Sequence, residues 1–391
     1  MKRMIQMAVC LVLLLATTFP VVASPLSASI PCNPKFVQQN GHKITVLPTG
    51  DTITGDTVNL QCAFDAAKGR GSEVHLIRGS YRTAQIVVNK FDGRFTGEGK
   101  DKTHIYNLPD LIVTPLNFYV NPPSAANPWP SLFSFVNGNI YIATLGIHII
   151  GETQTTAWTI KENYPDFSIL ALGIAFLGTK TNAYVDSILL EGEPSAESMF
   201  GYNLNNGIYF EGFIGEPSPP ISGSFQVYNS VFRNVAAATP VYNISKATVV
   251  SSHNTYQNVL LGMDSNNMIN SSFMFTHNDV KNADMGVYLY SDIVEDGSSY
   301  LIGNNTFSGN NGITFENIFG KGTHCLVLGN SLKDITGTGI YLGPGTKGCL
   351  VAGSNIVEDV VDEGTGNIII GTHHIRKGVG QAIQSFRKMY K

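Results

Sequence analysis

Asn254-Thr-Tyr256, Asn278-Asp-Val280, Asn305-Thr-Phe307, Asn330-Ser-Leu332 and Asn355-Ile-Val357 repeat one short pattern: an Asn, a variable residue, then a large or branched apolar residue. The asparagines follow one another at 24, 27, 25 and 25 residues, and Ser230-Val-Phe232 extends the series 24 residues upstream. A second register runs beside it in Gly207-Ile208-Tyr209, Gly262-Met263-Asp264, Gly286-Val287-Tyr288, Gly312-Ile313-Thr314 and Gly339-Ile340-Tyr341. Self-similarity at such a period marks a solenoid or array. Within each unit the segments are short, alternating and rich in Val, Ile, Tyr and Phe, which reads as strand. Helix-length periodic segments are missing, which argues against leucine-rich, ankyrin and tetratricopeptide repeats. A unit of this length fits a coil that returns above its own start, each strand pairing in parallel with its equivalent one coil away, ~4.8 Å distant.

The chain resembles the right-handed parallel β-helix proteins of the pectin-lyase-like superfamily, and the Asn series resembles that fold's internal asparagine ladder. The opening supports this separately. Leu60-Gln-Cys-Ala-Phe-Asp-Ala-Ala67 reads as a short helix, followed by Glu73-Val-His-Leu-Ile77, Arg78-Gly-Ser-Tyr-Arg82, Gln85-Ile-Val-Val88, Gly93-Arg-Phe-Thr-Gly-Glu-Gly99 and Thr103-His-Ile105. This order resembles the capping helix and first turns of that superfamily. A solenoid needs such a cap, because its first coil otherwise exposes core and unpaired strand edges. The expected fold class is all-β, a right-handed parallel β-helix solenoid with a short N-terminal capping helix. The resemblance implies action on, or binding of, polysaccharide. It carries over no catalytic residue. The Asn-Thr-Asp, paired Asp, Gly-His-Gly and Arg-Ile-Lys signatures of polygalacturonases are absent, as is the Arg-x-Pro-x-x-Arg of pectate lyases.

Residues 1–23 read as a secretory signal: Lys2 and Arg3, an apolar run from Met7 to Ala16, and Val21-Val22-Ala23 before the expected cleavage. A linker is expected over 24–54, cap and first coils over 55–107, a Pro-rich loop insertion over 108–138, coils over 139–372 and a basic tail over 373–391. Further interruptions run through Glu193-Pro194 to Tyr202 and Gly215-Glu-Pro-Ser-Pro-Pro220. Such insertions emerge as loops on a solenoid wall. No later segment has the length and apolarity to cross a membrane, so the mature chain is expected to be secreted or periplasmic. Cys32, Cys62, Cys325 and Cys349 then remain. Of the pairings they allow, Cys32–Cys62 with Cys325–Cys349 is the local one, and buried thiols are the alternative. No Cys or His cluster has zinc spacing, and no cofactor is identified. With 25 basic against 29 acidic residues, the net charge of −4 argues against a nucleic-acid partner.

Alternation along the strands assigns the candidate site. The residues after the aligned glycines (Ile208, Met263, Val287, Ile313, Ile340) are all apolar and are expected inward. Tyr209, Asp264, Tyr288, Thr314 and Tyr341 then point outward, with Tyr242 assigned to the same column, and Glu211, Asn266, Tyr290 and Glu316 form a second outward set. Rings that stack on sugar faces, interleaved with carboxylates that bind hydroxyls, suit a polysaccharide. The expected substrate-binding residues are Tyr209, Glu211, Tyr242, Tyr288, Tyr290 and Tyr341. The expected catalytic acids are Asp264, Asp284 and Glu316, since sugar-bond hydrolysis uses paired carboxylates. Arg233, Lys281 and Lys333 form a cationic stripe on another wall, and His253 and His277 are expected to stack at a turn. Two function classes follow: a glycoside hydrolase or polysaccharide lyase, and a non-catalytic carbohydrate-binding or surface-adhesion solenoid.

Overall fold

The computed structural model describes residues 32–53, 55–67, 71–108, 131–150, 172–194, 206–211, 220–291, 297–318, 324–352, 356–357, 359–371 and 375–376. The signal segment, Asn355, most of each insertion and nearly all of the basic tail lie outside these residues.

Strand pairing repeats at the sequence period. Val231–Ser252 pairs in parallel with Thr255–Ile269, which pairs with Asp279–Tyr290, which pairs with Thr306–Glu316. Shorter strands do the same on a further wall: Ser272–Thr276, Ser299–Gly303, His324–Leu328 and Cys349–Ala352. Every strand pair among the described residues is parallel except the hairpin Val37–Asn40/Lys43–Val46. That hairpin occupies part of the segment expected to be a linker, and Lys43–Val46 pairs onward with Glu73–Leu76, so it shields the first coil's edge. Ser131–Ala143 is likewise a strand, starting inside the stretch expected as insertion, because Leu132, Phe133 and Phe135 fill the core. Crossovers between parallel strands are almost always right-handed. The chain is a right-handed parallel β-helix.

The expected ladder holds the turns. Asn254 N–H donates to Asn278 Oδ1 at 2.9 Å, Asn278 N–H to Asn305 Oδ1 at 2.8 Å, and Asn305 N–H to Asn330 Oδ1 at 3.1 Å. Their side-chain amides donate to the carbonyls of Val227, Ser251, Phe275 and Ile302, in coil order. All four amides are buried, so each bond satisfies a group that would cost ~1–3 kcal/mol if left unpaired. Ser230 continues the column, its N–H donating to Asn254 Oδ1. The residue before each ladder position takes a left-handed backbone: Asn229, His253, His277 and Asn304 have φ of 51°, 58°, 57° and 55°. His253 and His277 stack as expected, ring centroids 5.0 Å apart.

The cap is the helix Thr57–Ala67. Its Phe64 ring sits edge-on to Phe91 and Phe95 at 5.4 and 5.0 Å, closing the end of the apolar core. Gln61 stands in for a missing strand: Val87 N–H donates to its Oε1 at 3.1 Å and its Nε2 donates to Val87 O at 2.9 Å. Both local disulfides are formed. Cys32–Cys62 ties the chain before the first hairpin to the capping helix, and Cys325–Cys349 links register partners on adjacent coils, with Cα separations of 5.5 and 4.4 Å.

Candidate functional site

The wall that follows the aligned glycines carries two outward columns. Register places Ala175, Tyr209, Pro240, Asp264, Tyr288, Thr314 and Tyr341 in one, and Leu177, Glu211, Tyr242, Asn266, Tyr290 and Glu316 in the other. Tyr242 therefore leaves the column assigned to it from sequence. Pro240 takes that place, because Tyr242 aligns with Glu211 and Asn266. Inward positions are as expected: Ile208, Met263, Val287, Ile313 and Ile340 are fully buried.

Neighbouring coils on this wall are joined by phenol–carboxyl contacts. The Tyr242 hydroxyl donates to Asp264 Oδ2 on the next coil. The Tyr288 hydroxyl donates to Glu316 Oε2 at 2.7 Å, again one coil on. Tyr341 donates to Glu363 Oε2 at 2.7 Å, so the motif recurs at a residue that sequence reasoning overlooked. Its signal was the 22-residue step from Tyr341 to Glu363, equal to that from Tyr242 to Asp264. Tyr209 hydrogen-bonds Glu211 on its own strand and meets Tyr242 edge-on at 5.4 Å. Tyr288 and Tyr290 rings lie nearly parallel, 6.4 Å apart.

Though they point away from the core, the acids here are covered. Glu211, Asp264 and Glu316 are 4, 5 and 2% exposed. Burial disfavours the charged carboxylate. It pushes Asp264 up to about 7 against the lowering effect of the Tyr242 bond, and Glu211 up to about 8 against that of Tyr209. Burial and then the bond to Glu316 hold the Tyr288 phenol well above its ordinary value. Among the described residues, two acceptors in the second column have no hydrogen-bond partner: Glu211 Oε2 and Asn266 Oδ1, on the coils either side of Tyr242. A small apolar cluster of Ala237, Leu261 and Met285, outside the main core, packs against Tyr288.

The structure joins these candidates unequally. Tyr209, Glu211, Tyr242 and Asp264 are contiguous, Tyr288 continues the row one coil beyond Asp264 to Tyr290 and Glu316, and Tyr341 lies two coils beyond Tyr288. Asp284 stands apart, four residues before Tyr288, where Asn310 Nδ2 donates to it at 2.8 Å. Burial raises its carboxyl, with the Asn310 bond opposing. Backbones of Glu211 and Asp264 lie ~12 Å apart by strand geometry, two coils and two residues, and so do those of Asp264 and Glu316. The Tyr242 bond links the Asp264 carboxyl to the coil that lies between it and Glu211. Among the described residues no three His, Cys, Asp or Glu side chains gather as a metal centre. On the other wall, Arg233 and Lys281 share a column with Gln257 between them, while Lys333 pairs with neither.

No family model matches the sequence, and no curated protein matches it. Among solved structures, a family 28 exopolygalacturonase of Yersinia enterocolitica is similar at 10% identity, covering 85% of this chain and 77% of its own, with a TM-score of 0.43. The A-module of a mannuronan C-5 epimerase from Azotobacter vinelandii matches at 11% identity over 85% of this chain and 98% of that one, TM-score 0.36. A pectin methylesterase from Erwinia chrysanthemi matches at 10% identity over 88 and 96%, TM-score 0.34. At such identity and superposition these likenesses transfer no residue role.

Proposed function

We propose that this protein is an exported, polysaccharide-acting β-helix whose substrate lies along the tyrosine–carboxyl wall, and that Glu211 and Asp264 are its acid–base pair. The observation that carries the reading is Glu211 Oε2: a carboxyl oxygen buried on an outward wall with no hydrogen-bond partner among the described residues. Leaving such an atom unpaired costs stability; a sugar hydroxyl donates the missing bond, and when Glu211 is protonated its O–H donates to a glycosidic oxygen instead. Asn266 Oδ1 offers a second acceptor two coils along, a spacing suited to a chain molecule rather than a small ligand. Both carboxyls are raised into the neutral range by burial against one tyrosine bond, which supports an acid–base role for the pair. We assign Asp264, raised to about 7 and bonded by the Tyr242 phenol, as base or nucleophile. Glu211, pushed to about 8, stays protonated and serves as acid to the leaving oxygen. Tyr242, bonded to Asp264, orients that base, and Tyr288 with Tyr290 extends the wall as a stacking surface. Two disulfides support an oxidising location.

Incubating the purified protein with a polysaccharide panel, reading both new reducing ends and the ultraviolet absorbance of unsaturated products, tests this reading. Hydrolysis abolished by Glu211→Gln and by Asp264→Asn supports it. Unsaturated products would instead indicate elimination. The ~12 Å between acid backbones favours a second reading, a non-catalytic carbohydrate-binding solenoid. Tight binding with no product on any polymer would select it.

A further inference from the structure

A different wall carries a cluster that the polysaccharide site does not use. Register aligns Arg82, Tyr106, His148, Glu191 and Arg233 in one outward column, with His104 and Gly146 adjacent in the next. The geometry points to a two-histidine site for a borderline divalent transition-metal ion, formed by His104 Nδ1 and His148 Nε2.

The two nitrogens are 3.0 Å apart. Imidazole nitrogens bound to one ion at ~2.0–2.1 Å stand about 2.9 Å apart at a right angle and about 3.4 Å apart at the tetrahedral angle. The observed gap falls in that interval. The rest of the cluster fixes which atom faces the ion. His148 Nδ1 lies 3.3 Å from Glu191 Oε2. Arg233 holds that carboxylate from the other side, Nη2 donating to Oε2 at 3.0 Å and Nε lying 2.7 Å from Oε1. A neutral His148 with its proton toward Glu191 presents the lone pair of Nε2 to His104. A carboxylate behind a metal-bound imidazole is the usual device for setting tautomer and basicity. Tyr106 stacks on the His148 ring, centroids 4.8 Å apart and planes 18° apart, which fixes the ring plane.

Gly146 keeps the approach open. A Cβ there would lie 3.1 Å from His104 Nδ1 and 3.2 Å from His148 Nε2, filling the space on which both nitrogens border. The main-chain oxygen of Lys100 lies 2.5 Å from the same point. Imidazole donors select Zn2+, Cu2+ or Ni2+ over Ca2+ and Mg2+. Since no third His, Cys, Asp or Glu completes the set among the described residues, water or an incoming ligand takes the other positions. The site is an open one, and does not depend on the proposed function of the tyrosine–carboxyl wall.

Titration calorimetry of tag-free protein with ZnCl2 tests it. One ion per chain is expected, with no heat from CaCl2. His104→Gln and His148→Gln should each weaken binding at least about tenfold, and Glu191→Gln about 10–100-fold. His253→Gln is the control: its ring stacks flat on His277, interplanar angle 2°, and should leave Zn2+ affinity unchanged. Paramagnetic resonance of the unsubstituted protein with Cu2+ avoids any risk of misfolded variants and should show hyperfine coupling from two imidazole nitrogens. Absence of Zn2+ and Cu2+ uptake, or uptake that His104→Gln and His148→Gln leave unchanged, overturns the site and leaves the pair as an N–H···N hydrogen bond.

Discussion

Replacing Asp264 by Asn should make the protein less sensitive to alkaline pH. In the folded chain burial pushes the Asp264 carboxyl from 3.8 up to about 7. The folded state therefore holds a proton that the unfolded chain has already released, and stability falls with rising pH wherever the native state binds more protons. This contribution is fully present below about pH 4 and is progressively lost up to about pH 7. At ~1.36 kcal/mol per pH unit, the interval amounts to about 4 kcal/mol, an upper figure for a group whose surroundings relax on ionisation. Asn keeps the shape and still accepts from the Tyr242 hydroxyl, but has no proton to lose. Urea unfolding of the two proteins at pH 4, 6 and 8 isolates the effect, since every other titrating group cancels in the difference. Asp264→Asn should gain on the wild type by up to ~4 kcal/mol between pH 4 and pH 8. Parallel stability profiles would refute the buried, proton-holding Asp264, and with it the acid–base division of labour.

Activity on a cleaved polymer should peak between the ionisations of Asp264 at about 7 and Glu211 at about 8, and the pH–rate profile of Glu211→Gln should lose its alkaline limb together with most of the rate. Tyr290→Ala should cost ~0.5–2 kcal/mol of polysaccharide affinity with folding retained, measured by affinity electrophoresis. Tyr288→Ala is the less clean variant, because that ring also packs against the Leu261 and Met285 cluster. Asn278→Ala strands the Asn254 N–H and the Ser251 carbonyl, so thermal unfolding should report a loss of ~2–5 kcal/mol. Replacing Cys325 and Cys349 together by Ala opens a loop with a 24-residue separation and should cost ~3 kcal/mol, seen as a lower urea midpoint than the oxidised wild type.

The sequence by itself determined the solenoid. A coil that stacks on its neighbour must reuse the same turn at the same interval, so the Asn254, Asn278, Asn305 and Asn330 spacing was written in one dimension and became a hydrogen-bonded column in three. Strand alternation likewise settled which residues face in, because a side-chain period of two leaves no freedom once one face is apolar. The stacking of Cys325 on Cys349 followed for the same reason, the two being one coil apart, whereas the Cys32–Cys62 bond joins the chain before the first hairpin to the capping helix and has no such repeat behind it. Only the tertiary structure decided the rest. The coil length varies by a few residues, so the strand position of Tyr242 could not be read without its neighbours, and the register moved it beside Glu211. Alternation distinguishes inward from outward, but outward is not the same as wet. That Glu211, Asp264 and Glu316 are buried, and that burial lifts Glu211 and Asp264 toward neutrality, depends on how successive coils stack, which also brings Tyr242 to Asp264 and Tyr288 to Glu316. The His104–His148 contact spans 44 residues and rests on a side chain leaning across Gly146. No local pattern encodes such a contact, because it forms only when successive coils lie in register.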